Sequence, residues 1–223
     1  MGTLRKTAEI FRMIKKPVLL VIAAFAVAGA VSAQVTISGG FVLSSAEDDY
    51  SIGYSGKDVG FGGNVSFDYL LPIGIPLSLG AEVGVHSAIF EKVVTKALVI
   101  PLLLRVGYHL DLIDNLDLYA VGKIGYVIPA LTYSYTKSFS GNSGNNINVN
   151  EDEKGGLGIG IDIGAAYYFT PRIGVFAEVG FDVYNVSLEM SGSDNYTSYN
   201  ETIDIKFTQF LTAGISIKLG KPN

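Results

Sequence analysis

The strongest constraint on this chain is a period of two. The stretch IGVFAEVGFDVYNV puts Ile173, Val175, Ala177, Val179, Phe181 and Val183 on one side, against Gly174, Phe176, Glu178, Gly180, Asp182 and Tyr184. Successive side chains of an extended strand point to opposite faces, so this is a strand with one greasy face and one face of glycine and carboxylate. The same alternation recurs from Gln34 to the end. It predicts strands near 34–45, 58–70, 77–90, 97–110, 117–133, 156–169, 173–188 and 202–219. No long stretch after residue 33 has helical spacing, so the fold class expected is all-β, an eight-stranded antiparallel up-and-down barrel.

The connections alternate in length. LPIGIP, DLIDNL and TPR are tight, whereas AEDDYSIGYSGK, SYTKSFSGNSGNNINVNEDEK and EMSGSDNYTSYNE are long and polar; EKVVTK alone is short on the long side. In a meander, alternate connections lie at opposite ends, so one end carries turns and the other loops. Transmembrane barrels have this asymmetry, with short periplasmic turns and longer extracellular loops. The expectation is therefore a bacterial outer-membrane barrel in contact with lipid, both termini on the periplasmic side.

One face stays apolar over lengths that suit a bilayer: Leu98 to Leu110, Leu157 to Phe169, and Ile203, Ile205, Phe207, Leu211, Ala213, Ile215, Ile217 and Leu219, with Gln209 interrupting. The opposite face is glycine with isolated charges, including Asp68, His86, His109 and Asp182. A narrow lumen has room for small residues and a few large ones, so this face is expected to point inward. Counted from the turn end, Glu82, Arg105, Lys123, Asp162 and Glu178 share one height. Unpaired ions at that depth are costly, so Arg105 and Lys123 should each face Glu82, Asp162 or Glu178. Such a belt serves either as a polar plug that fixes register or as a gate.

Residues 1–33 read as a signal peptide cleaved before Gln34: MIKK is positive, Pro17 to Val31 apolar, and VSA small. Met13 offers a second start. Removing these residues takes five of 16 basic and one of 21 acidic residues, leaving residues 34–223 at net −9. That charge argues against nucleic acid as a partner. With no cysteine and two histidines there is no expectation of a metal or cofactor. His86 and His109 lie near opposite ends of the lumen, too far apart to share a metal. An enzyme site of the His with Ser or Asp kind at His86 ranks below a non-enzymatic reading. GGLGIGIDIG from Gly155 alternates as a strand and is not a nucleotide loop.

Together these features resemble the small outer-membrane barrels of diderm bacteria, a group that includes OmpX, the OmpA transmembrane domain, the opacity proteins and OmpW. In the last strand, Thr212, Gly214, Ile217 and Leu219 match the polar, glycine and apolar positions of that group's assembly signal, although the chain runs on through GKPN instead of ending in an aromatic. The resemblance implies recognition by the barrel-assembly machinery. It also implies a role in one of two classes. One is a plugged scaffold whose polar loops 134–154 and 189–201 meet an extracellular ligand. The other is an OmpW-like narrow channel passing small or hydrophobic solutes.

Overall fold

The computed structural model describes residues 34–50, 55–89, 94–133, 148–193 and 198–220. The segment 1–33, with its expected cleavage before Gln34, lies outside them. Among the described residues nine strands follow in order: β1 (Val35–Tyr50), β2 (Ser55–Leu70), β3 (Leu77–Ile89), β4 (Val94–Ile113), β5 (Leu116–Tyr133), β6 (Asn148–Lys154), β7 (Gly156–Tyr168), β8 (Ile173–Ser193) and β9 (Ser198–Leu219). All pairings are antiparallel, and β1 pairs with both β2 and β9, which closes the sheet. The strands β6 and β7 form one barrel strand in two pieces. Lys154 faces Ser187 and Gly158 faces Tyr184 on the same partner, β8, with Gly155 at the joint. The barrel is therefore eight-stranded.

The tight turns fix the register. Asn115 takes φ 69° in the β4–β5 turn, a left-handed conformation that asparagine tolerates. Between β7 and β8, Thr170 Oγ1 accepts from the backbone N–H of Ile173 at 2.9 Å and of Arg172 at 3.3 Å, holding the chain reversal.

The outer surface is a band of exposed Leu, Ile, Val, Phe and Tyr, including Ile163 (72 % exposed), Phe181 (69 %) and Leu104 (66 %). Water would not tolerate so continuous an apolar surface; lipid would. Ile163→Arg is accordingly expected to cost about 2–4 kcal/mol in a bilayer if Ile163 lies near its midplane. Unfolding midpoints in lipid vesicles would read this.

The alternation expected for the last strand is broken. Ser44 faces Gln209 and Leu43 faces Leu211, which leaves Phe210 without a partner on β1. On the other side Val179 faces Leu211 and Asp182 faces Gln209, so the irregularity runs through both neighbours. A bulge of one residue reverses the phase of every side chain beyond it. Leu211, Ala213, Ile215, Ile217 and Leu219 keep to the outer side, whereas Ile203, Ile205 and Phe207, expected on the lipid face, point inward and are buried with Gln209. There they pack with Tyr184, Val186, Leu188, Val99, Val127 and Leu131. The lumen is thus mainly apolar towards the loop end, with Ser44 and Asp48 of β1 buried beside this cluster.

The expected loops are also partly sheet. Segments 148–154, 189–193 and 198–201 of the predicted loops 134–154 and 189–201 are strand, while 134–147 and 194–197 lie outside the described residues. Spanning a bilayer takes about 9–11 residues of tilted strand. With 21 and 22 residues, β8 and β9 exceed that and carry a hairpin beyond the apolar band, with β6 as its third strand. Ion pairs decorate this loop end, Lys57 with Glu47 at 2.8 Å and Lys154 with Glu189 at 2.5 Å. Lys57 holds the Glu47 carboxyl below its ordinary range, first by a hydrogen bond and then by charge. Such exposed pairs contribute little to stability, and the backbone ladder carries the extension.

Candidate functional site

The inward face works by a simple spatial rule, visible once the register is known. Arg105 on β4 lies opposite Gly80 on β3, and Gly80 lies opposite Asp68 on β2. Lys123 on β5 lies opposite Gly160 on β7, which lies opposite Asp182 on β8. Tyr119 on β5 lies opposite Gly164 on β7, which lies opposite Glu178 on β8. In each row the glycine of the middle strand leaves space for its two neighbours to meet over it. Arg105 Nε reaches Asp68 at 3.2 Å, Lys123 Nζ reaches Asp182 at 2.8 Å, and Tyr119 donates its hydroxyl to Glu178 at 3.2 Å. A Cβ on Gly80 would strike the Asp68 carboxylate, one on Gly160 that of Asp182, and one on Gly164 the Tyr119 ring. Gly160→Val is expected to overpack this row and destabilise the barrel by about 1–3 kcal/mol. The fraction of heat-modifiable, folded protein on a detergent gel would report it.

From these rows a single ionic belt forms. Arg105 bonds to Glu82, to Glu178 at 2.8 Å and to Asp68 at 3.2 Å. Lys123 lies 2.5 Å from Asp162, 2.8 Å from Asp182, 3.2 Å from Glu82 and 3.6 Å from Glu178. Glu82 and Glu178 are therefore shared between the two cations, which ties β3 and β8 together across the lumen through β4 and β5. The side chains of Arg105 and Lys123 are 2 % and 0 % exposed. Taking such ions out of water is costly, and dense mutual contact is what offsets it. Tyr184 adds hydrogen bonds to Asp182 at 3.3 Å and Gln209 at 3.1 Å, and Gln209 donates to Thr212 at 3.0 Å.

The structure thus brings Glu82, Arg105, Lys123, Asp162 and Glu178 together and adds Asp68 and Asp182, which the depth count kept outside the belt. Reach explains the difference. Long side chains crossing a glycine contact residues on the next strand but one, and a count along single strands does not register that. With five carboxylates to two cations, the cluster is acid-rich rather than neutral.

The two histidines have separate surroundings. His86 is fully buried, its ring edge-on to Tyr184 at 5.1 Å between centroids, and among the described residues neither ring nitrogen has a hydrogen-bond partner. His109 sits at the turn end with Asp117 and Ser78. Neither Ser78 nor Asp117 stands out in the sequence as a partner for it, because the contact depends on the register of three strands. Of the assembly-signal positions, Thr212 is buried in the lumen, Gly214 packs its backbone against Gly39 and Gly40 of β1, and Ile217 and Leu219 face outward. Among the described residues no group of three or more His, Asp or Glu side chains is arranged to hold a metal ion.

No family model matches the chain, and no curated protein matches it in sequence. Solved structures do match in shape. The outer membrane protein OprG from Pseudomonas aeruginosa superposes with a TM-score of 0.59 at 12 % identity, covering 85 % of this chain and 97 % of that one. A major outer membrane protein from Thermus thermophilus gives 0.51 at 15 % identity, covering 81 % and 99 %. At these identities the likeness establishes the fold, that of small outer-membrane β-barrels.

Proposed function

We propose that this protein is a closed outer-membrane barrel that does not conduct ions and that anchors its loop-end hairpin and loops at the cell surface as an interaction platform. One observation carries this reading: Arg105 and Lys123, both buried, share Glu82 and Glu178 across the lumen, so the bore is filled by its own ion pairs. The apolar packing around Phe207 and Leu188 continues the filling towards the loop end. In this reading the turn end and both termini face the periplasm, the loop end faces outward, and the last strand with Thr212, Gly214, Ile217 and Leu219 is what the assembly machinery recognises. The extended β6–β8–β9 sheet, within the polar segments 134–154 and 189–201 that the sequence marks as loops, supplies the surface for an extracellular ligand.

A second reading, a narrow route for apolar solutes, has its own observation. The β3–β4 ladder is interrupted between the pairs Val83–Leu102 and His86–Val99, where Pro101, which has no N–H to donate, is buried beside Gly84 on the inward face. Most lumen side chains on the loop side of that point are apolar, with Ser44 and Asp48 buried beside them. Swelling of protein-loaded vesicles in a small polar solute, run beside uptake of an apolar dye into the same vesicles, separates the two. The closed platform predicts neither signal above protein-free vesicles. Dye uptake without swelling would favour the apolar route, and swelling in the polar solute would contradict both.

A further inference from the structure

On the turn side of the belt, His109 stands between residues of two neighbouring strands. Its Nδ1 lies 3.1 Å from each carboxylate oxygen of Asp117 on β5, and its Nε2 lies 2.9 Å from Ser78 Oγ on β3. An ionised carboxylate can only accept, so in the neutral ring Nδ1 carries the hydrogen and donates to Asp117. That leaves Nε2 as the acceptor for the Ser78 hydroxyl. Nucleophile, base and orienting acid are then connected in the order that activates a serine.

Two further observations concern the space around this trio. Gly107 is the residue opposite Ser78, and a Cβ placed on it would fall 2.5 Å from Ser78 Oγ and 3.3 Å from His109 Nε2. Its absence gives the hydroxyl and the ring nitrogen room to meet over the glycine, with Ser78 itself buried at the foot of the crevice. The crevice that contains them is lined also by Thr36, Asp68 and Lys218. Lys218 Nζ sits 4.0 Å from the Tyr168 ring centroid, which places a cation in the same end of the lumen. Asp68 is tied to Arg105, which offsets its charge.

We propose that Ser78 and His109, positioned by Asp117, cleave small acyl esters that enter the lumen from its turn end. Ser78 Oγ bonds to the carbonyl carbon while its proton passes to His109 Nε2. The ester C–O bond then breaks as His109 returns that proton to the departing alcohol. Water repeats the sequence on the acyl-serine, releasing the acid and restoring Ser78. This site differs from the one weighed in the sequence, because the histidine with serine and aspartate beside it is His109, at the other end of the lumen from His86. It lies on the turn side of the ionic belt and is compatible with a closed bore.

The test is covalent labelling of the folded full chain in detergent micelles with a small fluorophosphonate, followed by peptide mass mapping. The expected result is one adduct, on Ser78, formed on the order of 10²-fold or more slowly in His109→Gln. Asp117→Asn should slow labelling as well, while Asp117→Glu, which keeps a carboxylate, should restore part of the rate; a purely structural role would not separate these two if both fold. Heat-modifiable migration on a gel certifies each variant. If a variant does not fold, the wild type alone decides, since labelling must be faster in the folded chain than in urea. No Ser78 adduct in the folded wild type, or equal rates in His109→Gln or in urea, would overturn the proposal.

Discussion

Arg105→Ala is expected to lower the stability of the folded barrel by about 3–5 kcal/mol, the cost typical of removing one member of a buried ion pair. The guanidinium bonds to three carboxylates on three strands, Asp68 on β2, Glu82 on β3 and Glu178 on β8. Its loss leaves them facing one another with Lys123 as their one remaining cation in the belt, and Glu82 and Glu178 are almost wholly buried. Reversible urea unfolding in lipid vesicles, followed by tyrosine fluorescence, measures the shift. The energetic origin is separable, because combining Arg105→Met with Glu178→Gln removes charge of both signs. That pair should cost less than the sum of the single changes, as coupled residues do. Strict additivity would mean that Arg105 and Glu178 do not interact.

Phe207→Ala is expected to cost about 3–5 kcal/mol, because it empties a position that is fully buried among Tyr184, Leu188, Ile203 and Ile205. Phe210→Ala, three residues on and 40 % exposed on the outer face, should cost clearly less. Lipid fills the space a truncated outward side chain leaves, whereas a packed lumen relaxes only in part. The same unfolding assay compares the two. If the alternation of the last strand ran unbroken through Gln209, the ranking would reverse, so the pair tests the bulge directly.

What was legible in the sequence depended on local signals. The alternation along each strand and the inequality of the connections were enough for an eight-stranded antiparallel barrel, since neither requires knowing which residues meet. The shared height of Glu82, Arg105, Lys123, Asp162 and Glu178 could be counted because LPIGIP, DLIDNL and TPR are short enough to hold their flanking strands nearly level. Three features were out of reach for the converse reason. The bulge at Phe210 skips one residue between Gln209 and Leu211, and since Phe207 and Leu211 are both apolar, hydrophobicity alone does not mark the reversal. Asp68 and Asp182 join the belt through side chains that cross Gly80 and Gly160, a relation between strands that are not neighbours. The contact of His109 with Ser78 and Asp117 runs on diagonals: Ser78 is paired with Gly107, two residues before His109, and His109 itself is paired with Tyr119, two residues after Asp117. Polar strands that pair in water, as at 148–154, carry neither a greasy face nor a turn residue to announce them.

In the function proposed above, buried ion pairs seal the lumen. The most direct measurement is single-channel current through the wild-type barrel in a planar bilayer, with Arg105→Ala recorded beside it. Silence from the wild type, with current appearing in the variant, is the result predicted. Steady ionic current through the wild type would contradict it.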